Sequence, residues 1–385
     1  MKTMNLIFGL LCAAVMAGCS RNVNPSPPVR GDDLLALSDV AGIVSELPLE
    51  KDQLDEVYDA VNSSSGHGYD EEYTMSHLFS DPGSGVGDST GPTKSSSYRT
   101  PLKKLFADYF QSRCASKSGL ADAEAYIRSL SESDIQIYWP YSENWDGMTY
   151  PIITFDPGFG AESNYGYMIS FDKGGARVVD SVLVTEAVAQ SRPVWVINRN
   201  DDSAFTPLDM FSDASPKATA AGGTGGGDIP KTLSIRSMKM LRNYDSWFCG
   251  ASEFFIKCGA PDGFRAKTDE ELKLFTASVT DFMVVIKRSQ VNRSVDVNTI
   301  MLTDFTPQMD KIVFMITEDD GGKVTSWKCQ ATVKFNSKSY GFDIDIPYRD
   351  KDDIVWRGQL SGSFFGSRTL TSGRFGDVAV TFELK

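Results

Sequence analysis

Apolar positions change period along the chain, and the change divides it. Leu37, Val40, Ala41, Val44 and Leu47 recur at helical spacing, Pro48 interrupts them, and Leu54, Val57, Tyr58 and Val61 make a second stripe. Recurrence at i, i+3, i+4 and i+7 places side chains on one helix face, so two short helices are expected between residues 31 and 62. Residues 63–97 show no period and carry a serine run and several Gly, which reads as loop. Thr100-Pro101 has the form of an N-cap followed by proline at the first helical position. It opens a helix with Leu102, Leu105, Phe106, Tyr109 and Phe110 on one side, and a further helix is expected from about Leu120 to Leu130.

From residue 134 the period falls to two. Ile135, Ile137 and Trp139 alternate with Gln136 and Tyr138, and further strands fit Ile152 to Phe155, Tyr167 to Phe171, Ala176 to Thr185 and Val194 to Asn198. Lys173-Gly174-Gly175 is a hairpin turn between the middle pair. The alternation is cleanest near the end of the chain. Trp327, Cys329, Ala331, Val333 and Phe335 form one series, Phe342, Ile344, Ile346 and Tyr348 a second, and Val378, Val380, Phe382 and Leu384 a third. Strict alternation means one buried and one wet face. Strands also fit Glu253 to Lys257, Asp281 to Arg288 and Lys311 to Thr317. Helices followed by strands predict an α+β domain over 31–200, helical over 31–131 and strand-rich over 134–200. Many antiparallel strands over 231–385 predict an all-β antiparallel sandwich. Between them, residues 201–230 contain Gly222-Gly223-Thr224-Gly225-Gly226-Gly227 and read as a flexible linker. The run lacks the Lys-Ser/Thr of a phosphate loop.

The first residues add a destination. Lys2, an apolar run from Leu6 to Val15, and Met16-Ala17-Gly18-Cys19 follow the signal-peptide pattern. The run is shorter than the roughly 20 residues a membrane span takes. Ala17-Gly18-Cys19 resembles the lipobox of bacterial lipoproteins, in which the cysteine thiol takes the lipid before cleavage. The resemblance implies a leader over 1–18, lipidation at Cys19 and a Pro/Ser/Asn-rich tether over 19–30. Ser20 resembles lipoproteins sorted to the outer membrane, and the lack of an acidic cluster at 20–24 points to the periplasmic face. The membrane is then a partner through the anchor.

The chain of 385 residues carries a net charge of −13. An acidic surface does not favour phosphate backbones, so nucleic acid is not an expected partner. His67 and His77 are the two histidines, which argues against histidine-based zinc or iron sites. Asp70-Glu71-Glu72 lies between them and offers one mixed metal cluster. Cys114, Cys249, Cys258 and Cys329 permit two disulfides in an exported protein, with Cys249 and Cys258 placed to close a hairpin, or serve as four small buried hydrophobes. Cys329 on an apolar strand face fits the second use.

Two constellations carry candidate chemistry. Glu318, Asp319 and Asp320 follow one expected strand, and Asp350, Asp352 and Asp353 follow another. Calcium takes six to eight oxygens, and carboxylates on adjacent loops supply them; the same residues also serve as polar turns. Asp343 and Asp345 face solvent on a strand. The second constellation is Tyr138 to Gly147, dense in aromatics, amides and carboxylates, the makings of a sugar-stacking surface. Alternation assigns Trp139 to the core and leaves Tyr138, Tyr141 and Trp145 as the exposed candidates, with packing at a strand-to-loop transition as their alternative use. A nucleophile triad needs a base, and neither histidine lies near a nucleophile elbow. With 51 acidic residues no one carboxylate pair stands out for hydrolysis.

Two resemblances follow. Val313-Phe314-Met315-Ile316-Thr317-Glu318-Asp319-Asp320 resembles a C2-type sandwich, in which a strand leads into an acidic calcium loop, though the spacing departs from the full signature. Ile135 to Gly147, Arg192 to Asn198, and Tyr244 to Phe248 leading to Gly250-Ala251-Ser252-Glu253 resemble segments of uncharacterised lipoproteins of gut Bacteroidota. That family brings no known activity and implies no catalytic residue. The expectation is a lipid-anchored envelope protein, a non-enzymatic module that binds a ligand such as a glycan or an envelope protein. A carboxylate-dependent hydrolase of cell-wall or dietary polymer and a structural subunit of an envelope assembly are the alternatives.

Overall fold

The structure, a computed structural model, describes residues 35–79, 98–113, 117–200, 231–366 and 369–385, with the side chains of 117–122 left out. The leader 1–18, Cys19, the tether 19–30, Cys114 and the linker 201–230 lie outside these residues.

Helices α1 (Leu37–Glu46) and α2 (Lys51–Gly66) form where the two stripes fall, and Val40, Ala41, Val44, Leu54, Val57 and Val61 are all buried. The stretch read as loop holds a strand, β1 (Glu72–Thr74), and a one-turn helix, α3 (Met75–Phe79). Both are too short to show a period. Helix α4 (Leu102–Arg113) starts one residue after Pro101, and its first free N–H is taken by the Glu56 carboxylate of α2 at 2.5 Å rather than by Thr100. Helix α5 (Lys117–Ser131) leads into β2 (Ile135–Tyr138), β3 (Ile152–Phe155), β4 (Ser163–Phe171), β5 (Arg177–Thr185), α6 (Glu186–Ser191) and β6 (Val194–Arg199). The turn between β4 and β5 sits at Lys173-Gly174-Gly175, where the Asp172 carboxylate accepts the N–H groups of Gly174 and Ala176 at 2.8 Å. The first sheet runs β1-β2-β6-β3-β4-β5 and is antiparallel except for β3 beside β6. Its helix-side face, with Ile137, Trp139, Ile153, Trp195 and Ile197, closes a core against α1, α2 and α4.

Packing in this sheet is tight at Gly166. A Cβ there would meet Ile152 Cγ2 and Val184 Cγ2 at 2.8 Å and the Ile153 carbonyl oxygen at 2.9 Å. Backbone cannot step aside as a side-chain tip can, so Gly166→Ala is expected to cost about 1–3 kcal/mol in chemical denaturation. A loss under about 0.5 kcal/mol would show that the strand relaxes freely.

The second half is a two-sheet sandwich, continuing through β7 (Lys231–Met240), β8 (Ser252–Ala260), α7 (Asp269–Leu272), β9 (Ser278–Ile286), β10 (Val295–Phe305), β11 (Met309–Glu318), β12 (Val324–Phe335), β13 (Lys338–Arg349), β14 (Asp353–Ser361), α8 (Gly362–Phe365), β15 (Leu370–Phe375) and β16 (Val378–Leu384). One sheet is ordered β10-β7-β16-β15; the other is β13-β12-β11-β8-β9, with β14 on the far side of β11. Every neighbouring pair is antiparallel. Phe254, Ile256, Phe314 and Ile316 of one sheet meet Ile235, Met238, Val380 and Phe382 of the other. Rings such as Phe314 and Phe382 meet edge-on at 5.5 Å, a favoured aromatic geometry.

The β12–β13 hairpin turns on Asn336 and Ser337, both at positive φ (49° and 63°), the two-residue turn that matches strand twist. Its apolar side, Ala331, Ile344 and Ile346, covers Val313 and Met315 on the outer face of β11. Ile344 approaches so closely that a Cβ on Gly259 of β8 would lie 2.9 Å from it. This cover buries every residue of β8. Cys258 is a free thiol in the core, so the hairpin disulfide between Cys249 and Cys258 does not form.

Candidate functional site

The acidic loops begin where a core strand runs out. On β11, Phe314 and Ile316 face the inter-sheet core, so Glu318 two residues on faces the end of that core. It sits opposite Asp353 of β14 and Phe254 of β8, and is 1% exposed. The β7–β8 connection passes the same end. Carboxylate oxygens of Asp245, Glu318 and Asp320 all lie within 4.8 Å of one another. Asp320 stands exposed at the rim, and partial desolvation of its carboxyl, followed by the charges of Asp245, Asp353 and Asp352, pushes it up to about 6.

A second carboxyl pair adjoins this one. Asp319 Oδ1 accepts the Gly321 N–H at 3.0 Å and lies 4.0 Å from the Arg349 guanidinium. Asp352 Oδ2 accepts the Arg349 N–H at 2.9 Å. Their other oxygens, Asp319 Oδ2 and Asp352 Oδ1, are buried with no hydrogen-bond partner, on residues 2% and 8% exposed. Burial first, then the neighbouring Asp319, holds the Asp352 carboxyl above the ordinary range. Buried carboxylates with no donor between them call for a proton or a cation. An all-oxygen donor set suits a hard cation of the calcium type.

Of the six acidic residues singled out in the sequence, Glu318, Asp319, Asp320, Asp352 and Asp353 meet at this end of the sandwich. Asp350 does not take part: it is exposed, and its Oδ1 accepts the Lys323 N–H at 2.8 Å, closing the base of the loop. Asp245 is the member sequence reading missed. It stands in a connection far upstream, and the nearest signal was its place beside Trp247-Phe248.

The aromatic segment separates in the same way. Tyr141 has φ 59° and ψ 30°, a left-handed conformation that costs a bulky residue about 1–3 kcal/mol. Its hydroxyl donates to Glu186 Oε1 at 2.8 Å and accepts from Gln190 Nε2 at 3.2 Å. Trp145 packs on Tyr58 at 5.0 Å and on Trp139 at 5.2 Å, and its Nε1–H donates to the Thr149 carbonyl. Both line one cavity of about 190 Å³, with Trp139, Asn144, Arg192 and Pro193. That volume admits a small ligand only, since drug-sized sites run to about 300–1,000 Å³. Tyr138 is not exposed as alternation predicts; it is fully buried. Alternation along β2 reports one sheet face, and the other face is covered by residues from the sandwich.

That cover is the β7–β8 connection. Trp247 and Phe248 are fully buried against Tyr138, Ile152, Val184, Val194 and Val196. Asn198 Nδ2 donates to the carbonyls of Phe248 and Cys249, and the Ala251 N–H donates to Asp70 Oδ2 at 2.9 Å. Glu71, 2% exposed, accepts from Ser142 Oγ at 2.8 Å and lies 3.6 Å from Lys287 Nζ. Burial raises its carboxyl to about 8, against the pull of Lys287. Asp70 and Glu71 thus serve the junction between the two halves, while Glu72 accepts from Asn200 Nδ2 at 2.8 Å within the first. Among the described residues neither His67 nor His77 joins them in a metal-type group.

No family model matches this chain, and no curated protein matches it. A solved structure described as Drosophila C2-DSL-EGF1 is similar at 7% identity and TM-score 0.19, covering 40% of this chain and 65% of that one. Among the described residues no helix is long and apolar enough to cross a membrane.

Proposed function

We propose that this is a lipid-anchored envelope protein, held through Cys19 at the periplasmic face of the outer membrane, whose sandwich is a non-enzymatic binding module organised by a divalent cation of the calcium class. One observation carries the cation reading. Asp245, Glu318 and Asp320 converge within 4.8 Å from two separate connections, beside buried oxygens of Asp319 and Asp352 that lack donors. Folding these charges together without a counter-ion is unfavourable, and a cation shared by them removes the repulsion. The anchor rests on Ala17-Gly18-Cys19.

Isothermal titration of calcium tests the reading and carries a pH signature. A carboxyl raised to about 6 binds protons in the folded state at pH values where the unfolded chain has released them. Folded-state proton binding in that window stabilises the cation-free protein as pH falls from about 7 to 5. The same protons compete with the cation. Binding heat is therefore expected at pH 7.5 and should weaken markedly at pH 5.5. Equal affinity at both values, or no heat at pH 7.5, would count against the proposal.

A further inference from the structure

We infer that the acidic loops and the aromatic cavity are linked sites, with Arg288 transmitting cation occupancy of the first to the shape of the second. The inference rests on the reading of the acidic loops as a cation site.

The path is a continuous line of hydrogen bonds. Asp245 contributes its carboxylate to the acidic group and its backbone carbonyl to Arg288, whose Nη1–H donates to that oxygen at 3.1 Å. Arg288 is 8% exposed, and its Nε–H donates to Glu186 Oε1 at 2.9 Å. The same Oε1 accepts the Tyr141 hydroxyl at 2.8 Å. Tyr141 is a wall of the 190 Å³ cavity and is held in a left-handed backbone conformation. One residue thus stands in both sites' supporting bonds, and no water-sized gap interrupts the chain.

The loop geometry converts charge into movement at one peptide. Trp247 and Phe248 fix the chain just after Asp245, and the Trp247 indole N–H is bonded to the Glu162 carbonyl at 3.1 Å. Asp245 is half-buried and free of that core. With no counter-ion, Glu318 and Asp320 repel its carboxylate. With a cation, all three are drawn together. Because the following residues are fixed, the difference falls on the Asp245 peptide, whose carbonyl is the acceptor of Arg288. The guanidinium is a rigid planar fork, so a reoriented acceptor at one nitrogen shifts the partner at the other. That partner, Glu186, opens helix α6, whose Ala189 and Ser191 border the cavity together with Arg192 and Pro193. A strained Tyr141 has an alternative backbone state to move into, which gives the cavity two arrangements for the cation to choose between. Coupling of this kind is reciprocal: whatever fills the cavity in its cation-bound shape tightens the cation.

Hydrogen exchange of the full chain, in calcium and in chelator, tests the link, with isothermal titration of calcium run alongside on the same samples. Calcium is expected to slow exchange severalfold in residues 241–251 and also in 138–150 and 185–193. In Tyr141→Phe, which removes one hydroxyl and no buried charge, slowing should persist in 241–251 and in 185–193, which Arg288 still reaches through Glu186, and vanish in 138–150. Arg288→Met should confine the slowing to 241–251; if it fails to fold, Tyr141→Phe and Glu186→Gln carry the test. Binding heat without any change in 138–150 and 185–193 overturns the link and leaves the cation site standing. Absence of binding heat overturns both.

Discussion

Calcium added to the chelated protein is expected to raise its unfolding midpoint by several degrees, and Asp320→Asn is expected to abolish the rise. A ligand at a hundredfold excess over its dissociation constant adds about 2.7 kcal/mol to the folded state. For a unit of 150–250 residues each kcal/mol moves the midpoint by about 2–4 °C, and a larger cooperative unit moves less. Two signs make the experiment decisive. In chelator, Asp320→Asn should be more stable than the parent, because it removes the carboxyl that desolvation and the like charges of Asp245, Asp353 and Asp352 hold near 6. In calcium the order should reverse, because the substituted chain has lost a ligand. Asp350→Asn serves as the control. Its carboxylate caps the Lys323 N–H outside the group, so it should leave the calcium response intact. Were Asp320→Asn destabilising in chelator, the carboxylate would be a structural hydrogen-bond acceptor and the loops ordinary turns.

The sandwich was legible where its strands wear their environment. One face dry and one wet gives period two: β16 follows it throughout, β12 from Trp327 on and β13 from Tyr340 to Pro347. Pro347 fits the scheme because β13 is an edge strand with a free side. Strands buried on both faces lose the signal: β8 is buried throughout, and alternation within it says nothing of direction. Tyr138 went wrong for the same reason one level higher. Its strand does alternate, but the face that should be wet is covered by Trp247 and Phe248, more than a hundred residues downstream. Local pattern carries no record of such a partner. The acidic site divides along the same line. Glu318 to Asp320 and Asp352-Asp353 could be read because carboxylates cluster in sequence at the ends of readable strands. Asp245 is one acidic residue among many until the fold sets its loop over the core's end. Tyr141 and Trp145 were found by composition, whereas Arg192 and Pro193, across the cavity, belong to a different strand connection.

The same downstream partner makes the largest packing prediction. Trp247→Ala is expected to destabilise the protein by about 3–5 kcal/mol in denaturant unfolding, the usual cost of emptying a buried large aromatic site. Trp247 is fully buried, stacks on Phe248 at a ring separation of 3.9 Å and satisfies its indole N–H on the Glu162 carbonyl. Removing it leaves a void between the first sheet and the sandwich, and a carbonyl with one donor fewer. The cost should not stay in the sandwich. Tyr138, with its hydroxyl unpaired, Ile152 and Val196 would face the void, and water reaching them would loosen Asp70 and Glu71, whose carboxyls burial in the closed junction holds above their ordinary range. The sandwich itself, held by the separate core around Phe314 and Phe382, loses nothing directly. Unfolding followed by tryptophan fluorescence and by far-ultraviolet circular dichroism should therefore separate into two transitions in Trp247→Ala, the first sheet and its helices melting before the sandwich. Phe248→Leu, which keeps most of the volume, should cost under about 1.5 kcal/mol and keep the transitions together. A loss below about 1 kcal/mol for Trp247→Ala would mean that the sheet face is covered by something other than this loop, and would sever the lever on which Asp245 turns.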